Sequence, residues 1–239
     1  MGTIRQYGTI NMLVAGVMDG VFDLPDVADA ADIGLGTLHA MDGELIILDG
    51  VAHQALADGS VVIAPDDATT PYVTVGHFET PHQFELPVVT GFEALCESLD
   101  SRLEDLNRPA MVRINGCFSR IKVRSVRKQS KPYVGLAAVA KDQKIFDFVE
   151  VAGSVVGVRF PDYLQSIQVA GWHLHVLSAD GTRGGHLLDL TMSSAQVILE
   201  AASGFEVRLP DDLAFREADL PVDVHAAVQS AERDPVSSG

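Results

Sequence analysis

Cysteine is nearly absent from this 239-residue chain, which has two, Cys96 and Cys117. Two thiols cannot build a disulfide framework. Cys96 falls on an apolar helical pattern and Cys117 in a strand-like run, so both read as buried, inert thiols. Basic charge is also scarce: 17 Lys and Arg stand against 33 Asp and Glu, a formal net charge of −16. Repulsion on that scale disfavours nucleic acid and anionic membranes as partners. No apolar run reaches the length of a membrane span. The first eleven residues lack the charged start and apolar core of a signal peptide, so the cytoplasm is the expected setting. What remains is ordinary globular composition, 47% hydrophobic and 21% charged, enough for one large domain or two small ones.

The chain punctuates itself. Residues 12–22 are apolar and glycine-interrupted, reading as a short helix or turn. Asp49-Gly50 and Asp58-Gly59 each separate two apolar runs, a strong hairpin signal. Phe92, Leu95, Cys96, Leu99, Leu103 and Leu106 recur at helical spacing, predicting an amphipathic helix that ends before Pro109. Strands are expected near 111–118 and 120–126, with Arg120, Lys122 and Arg124 on one face and Ile121 and Val123 on the other. Pro132 suits the first turn of a helix towards Ala140. Strands resume over 145–151, 154–160, 172–178, 185–191 and 196–199, and 211–232 is helical in character. This order suggests an N-terminal part, residues 1–140, and a C-terminal part, residues 141–239. Nine of the 17 basic residues fall between Arg113 and Lys144. That run is either a solvated face or local compensation for an anionic small ligand.

The stretch richest in chemistry is Gly171-Trp172-His173-Leu174-His175, followed by Asp180-Gly181 and Gly184-Gly185-His186. On a strand, His173 and His175 leave the same face. The Asp-Gly step is turn chemistry, so a returning strand could bring His186 level with them. Three converging imidazoles would make an open, catalytic type of zinc site. Hydrogen-bonded core histidines explain the same spacing equally well. Glycines before His186 favour the ligand reading modestly, because they let backbones approach closely. Glu44 opens an otherwise apolar strand, Arg124 ends the basic one, and Glu232 lies in the helical tail; each has an ordinary surface explanation.

Several segments in combination resemble α-acetolactate decarboxylase, in order along nearly the whole chain. They are Gly36-Thr37-Leu38-His39-Ala40-Met41-Asp42-Gly43-Glu44, Arg124-Ser125-Val126 with Lys131-Pro132-Tyr133, Phe160-Pro161-Asp162-Tyr163, the histidine stretch, and, in the tail, Glu217-Ala218-Asp219-Leu220 with Ala231-Glu232. Trp172 departs from the pattern, which has Tyr there. The resemblance implies a β-rich α/β (α+β) fold of two subdomains, each built on a mixed β-sheet, with zinc between them. It implies that His173, His175 and His186 bind the metal, that Glu44, Arg124 and Glu232 surround the substrate, and that Thr37 lines it. It further implies a homodimer that converts 2-acetolactate to acetoin and CO2 in the route to butanediol.

The residues suit that chemistry. Losing CO2 from a β-keto acid leaves an enediolate, which a metal and a fixed guanidinium stabilise. A carboxylic acid, Glu44 or Glu232, then delivers a proton; this requires a pKa raised by desolvation. Two other readings compete. A cupin-like metal oxygenase would place a Glu ligand shortly after His175, and residues 176–181 contain none. A non-enzymatic β-domain binding zinc or an anion would need a fourth strong ligand near the histidines.

Overall fold

The computed structural model describes residues 2–29 and 31–232, with the side chains of residues 229, 230 and 232 outside the description. The chain begins with β1 (Thr3–Tyr7), α1 (Ile10–Val14), β2 (Phe22–Asp23), α2 (Leu24–Ala28), β3 (Ile33–Thr37) and β4 (Glu44–Leu48). Then come β5 (Val51–Ala55), β6 (Val61–Ile63), β7 (Thr69–Thr70), β8 (Tyr72–Gly76), β9 (His82–Leu86), β10 (Val89–Thr90) and α3 (Phe92–Asp100). Longer strands follow: β11 (Ala110–Ser125), α4 (Leu136–Lys141), β12 (Lys144–Phe160), β13 (Gly171–Ser178) and β14 (Gly184–Ala201). The chain closes with β15 (Gly204–Arg208), α5 (Leu213–Glu217) and α6 (His225–Glu232).

These strands make two large sheets. The first has seven strands in the order β15-β1-β8-β3-β4-β5-β6. Its β1–β15 pair is parallel and the rest antiparallel, so this sheet is mixed. The second runs β10-β14-β11-β12-β13, with β9 also on β14, and all its pairs are antiparallel. Because β13 pairs with β12 and with the start of β14, strands β11 to β14 close on themselves. The fold is the strand-rich α+β expected, with only the first sheet mixed. Residue 140, the boundary expected between the two parts, lies in α4, on the connection between β11 and β12 of the second sheet. That sheet is the unbroken segment 82–201, inserted between β8 and the last strand of the first sheet.

The hairpin at Asp49-Gly50 forms as expected: both residues have positive φ, 51° and 79°, and Leu48 faces Val51. The amphipathic helix stops early, at Asp100. The amides of Arg102 and Leu103 bond back only three residues, to Leu99 and Asp100, which tightens the chain out of the helix. Leu103 still packs on the core, but Leu106 is exposed. The helix expected from Pro132 begins instead at Leu136. Gly135 precedes it with its backbone against Val14, where a Cβ would lie 2.5 Å from the carbonyl oxygen. Cys117 is exposed rather than buried, while Cys96 is half-buried and its thiol is pushed up to about 12, chiefly by desolvation.

Apolar side chains fall into layers. Ile4, Ile33, Leu35 and Ile46 of the first sheet meet Met111, Val156, Val158, Phe160 and Leu177 of the second. Helix α3 covers the second sheet's far face through Leu95 and Leu99, with Trp172, Leu174 and Val176. Leu24, Val27 and Ala28 of α2 cover Leu45, Ile47 and Val73 of the first. A further cluster joins α1, α4 and α6 through Ile10, Leu13, Leu136, Val139, Val228 and Ala231. Among the described residues, no helix is long and apolar enough to cross a membrane.

Candidate active site and metal centre

Cross-strand register assembles the site. In β13 and β14, His175 stands opposite His186; in β14 and β11, His186 stands opposite Arg124. Residues directly opposite share a face, so Arg124, His186 and His175 form one row. His173, two residues before His175, joins them on that face. The row depends on a bulge. Lys122 pairs with Asp189 but Val123 with Leu187, so Leu188 is the extra residue that brings His186, not Leu187, opposite Arg124. Beside it, Gly185 has φ 144°, and a Cβ there would lie 2.6 Å from the Arg124 carbonyl oxygen. No other residue fits that close approach.

The turn joining β13 to β14 is held by Asp180. Its Oδ1 accepts from the hydroxyls of Ser178 and Thr182, at 2.5 and 2.8 Å, and from the Thr182 amide. These bonds keep the Asp180 carboxyl down at about 2.

Glu44 comes from the other sheet. It begins β4 opposite Thr37, whose hydroxyl donates to the Gly43 carbonyl at 2.7 Å. Glu44 and Arg124 are both buried, and Arg124 Nη1 lies 3.3 Å from Glu44 Oε1. Glu44 Oε2 lies 3.6 Å from His175 Nε2. The three imidazoles are also buried, with ring centroids 5.0 to 5.3 Å apart. One nitrogen from each lies within 4.8 Å of the other two.

Their protonation follows from the surroundings. His175 Nδ1 is 2.8 Å from the Leu45 carbonyl oxygen, which only accepts, so Nδ1 carries the proton. The lone pair on Nε2 then faces the cluster and makes no hydrogen bond among the described residues. Burial pushes His173 down to about 3, with Arg124 adding to the effect. His175 is held well below the usual range by burial and then by His173. Three buried imidazoles with a nitrogen from each within 4.8 Å of the other two, one of them with its Nε2 lone pair aimed at the cluster, fit a metal ion.

A cavity of about 30 Å³ adjoins His173, Glu44, Arg124 and Thr37. Its other wall is apolar, from Ile10 and Leu13 of α1, Met41 and Leu136. The sequence pointed to none of these wall residues as parts of a site. Tyr72 also lines this cavity, its hydroxyl bonded to the buried Gln168. Of the residues expected at the site, the structure brings together His173, His175, His186, Glu44, Arg124 and Thr37. Glu232 ends α6, and its side chain lies outside the described residues.

A sequence profile of α-acetolactate decarboxylase matches residues 4–222. The chain belongs to that family. It is 36% identical over 230 residues to the α-acetolactate decarboxylase of Methanosarcina mazei, covering 96% of this chain and 80% of that one. It is 37% identical over 229 residues to that of Methylococcus capsulatus, covering 96% and 88%. The crystal structure of the Bacillus subtilis strain 168 α-acetolactate decarboxylase superimposes with a TM-score of 0.93 at 30% identity, over 97% of this chain and all of that one. The family's name agrees with the resemblance read from the motifs.

Proposed function

We propose that this member of the family is an acetolactate decarboxylase, a carboxy-lyase that converts 2-acetolactate to acetoin and CO2. The observation that carries the reading is the buried row of Arg124, His186 and His175, flanked by His173 and faced by Glu44. His173, His175 and His186 would hold the metal, and zinc suits a set of three imidazoles. When bound, the ion supplies Lewis-acid stabilisation for negative charge developing on the substrate oxygens.

The reaction breaks the bond between carbon and carboxylate, and its electron pair passes towards the adjacent ketone oxygen. CO2 leaves, and one proton delivered to carbon completes acetoin. Arg124 holds the substrate carboxylate through its guanidinium and keeps a positive charge beside the reacting carbons. Because both Arg124 and Glu44 are buried, water screens that charge little. Glu44 is placed to hold and transfer the proton, with Glu232 as the second acid. Thr37 orders the turn before Glu44 by donating to Gly43, which fixes where the carboxylate points.

The same reading includes a homodimer in the cytoplasm. Residues 144–152 of β12 pair only with β11 among the described residues and expose Val149, which supports an edge for self-association. Two free thiols support a reducing compartment.

The test is acetoin formation from racemic acetolactate by protein as isolated, after chelation and with zinc restored, beside His173→Ala. Activity should vanish on chelation, return with zinc and be absent in the variant. Folded, zinc-loaded protein that forms no acetoin would sink the proposal.

A further inference from the structure

Two very different spaces adjoin the histidines. Beside His173, Glu44 and Arg124 lies the small cavity, walled by Ile10, Leu13, Met41 and Leu136. Those residues belong to the apolar cluster that α1, α4 and α6 make together. A second space, a cleft of about 440 Å³, reaches His186. It runs between α3, residues 159–172 and α6, and its walls include Asp100, Arg159, Asp162, Gln165 and His225.

We infer that this cleft is the passage by which hydrated solutes, the metal ion first among them, reach the histidines. A hydrated divalent cation cannot cross the α1–α4–α6 cluster without shedding water against aliphatic side chains, at a large desolvation cost. The cleft offers two carboxylates, one of them paired with Arg159, with an amide and an imidazole instead. Part of its wall is tied down: Asp100 accepts from Trp172 Nε1 at 2.8 Å and pairs with Arg159 at 2.9 Å, and Arg159 donates to the Leu106 carbonyl. Gln165 and Ala170, both half-buried, serve as the rim. Trp172, which the family pattern replaces with Tyr, lines the cleft together with His186.

The inference rests on the reading of the histidines as a metal site, and not on the reaction. It is tested by narrowing the rim with Gln165→Trp and, separately, Ala170→Trp, neither of which replaces a proposed metal or substrate group. Cobalt(II) serves as the probe, because its absorption reports occupancy of the site directly. Excess chelator should strip cobalt from each variant about tenfold more slowly than from the unaltered protein, and loading should slow in parallel. Final cobalt content and thermal midpoint should be unchanged. Gln165→Ala, which widens the rim, should exchange at least as fast as the unaltered protein.

Equal exchange rates in folded Trp variants would overturn the passage while leaving the metal site standing. If unaltered protein takes up no cobalt, the metal reading fails and the passage with it. An unfolded variant is replaced by the other, since residues 165 and 170 lie at separate points of the rim.

Discussion

In the proposed reaction the chemistry turns on Glu44 and Arg124, two buried polar side chains held 3.3 Å apart. Removing one partner takes this pairing from the other in a site that water screens little. Glu44→Gln keeps the shape and removes the titratable group. It should lower kcat about 10²–10⁴-fold, the range for a lost proton-transfer group, with metal content unchanged. Metal analysis and steady-state kinetics on one preparation would check this; full activity would remove Glu44 from the mechanism. Gly185 is the second critical position. Its φ of 144° and its approach to the Arg124 carbonyl leave no room for a Cβ. Gly185→Ala should cost at least about 1–3 kcal/mol in stability, the range for a side chain forced into a strained backbone region. Because the neighbouring His186 would shift too, metal affinity should fall with it. Denaturant unfolding and a metal titration read the two effects separately.

Among the elements, the β13–β14 hairpin was the most legible in sequence. Alternation places His173 and His175 together, and Asp180-Gly181 announces the turn, all within sixteen residues. Arg124 was not legible as their neighbour. Its place in the row depends on pairing between β11 and β14 and on the bulge at Leu188, which no local pattern contains. Early termination of α3 and the exposure of Cys117 were missed for the same reason: tertiary surroundings decided them. Asp180 gives this hairpin a test of its own. The hydrogen bonds that lower its pKa to about 2 stabilise the folded state where the carboxyl is ionised. That contribution is present above the ordinary value of 3.8 and is lost as pH falls through about 2. Asp180→Asn should therefore be less stable than the parent at neutral pH, with the difference shrinking below pH 3.8 and gone at the lowest pH. Unfolding curves across pH would reveal a constant difference if the turn's charge were irrelevant.

At the scale of the whole molecule, the site lies where two sheets from different parts of the chain meet. Glu44 and the Leu45 carbonyl come from the first sheet; the histidines and Arg124 come from the second. A metal held by the three histidines binds the folded protein and not the unfolded chain, so it should stabilise the fold by mass action. Free zinc at a hundred times its dissociation constant should contribute about 2.7 kcal/mol. Calorimetry should show one transition that moves up with zinc and down with chelator; a midpoint indifferent to both would mean that the histidines hold no ion. Sequence patterns conveyed a β-rich fold but not the return of β15 to the first sheet, because that strand pairs with β1 across 201 residues of chain, with Thr3 facing Gly204.

That last pairing bears on how the protein is made. As the chain leaves the ribosome, β1 can find β8 early, but its other flank stays bare until residues 204–208 have been synthesised. Meanwhile the intervening segment 82–201 can complete its own ring of strands. For most of its synthesis the nascent protein thus carries an open strand edge bearing the core residue Ile4, the sort of edge on which another chain can add. Ribosome-bound chains halted before residue 204 should aggregate more readily than chains halted after β15 has emerged.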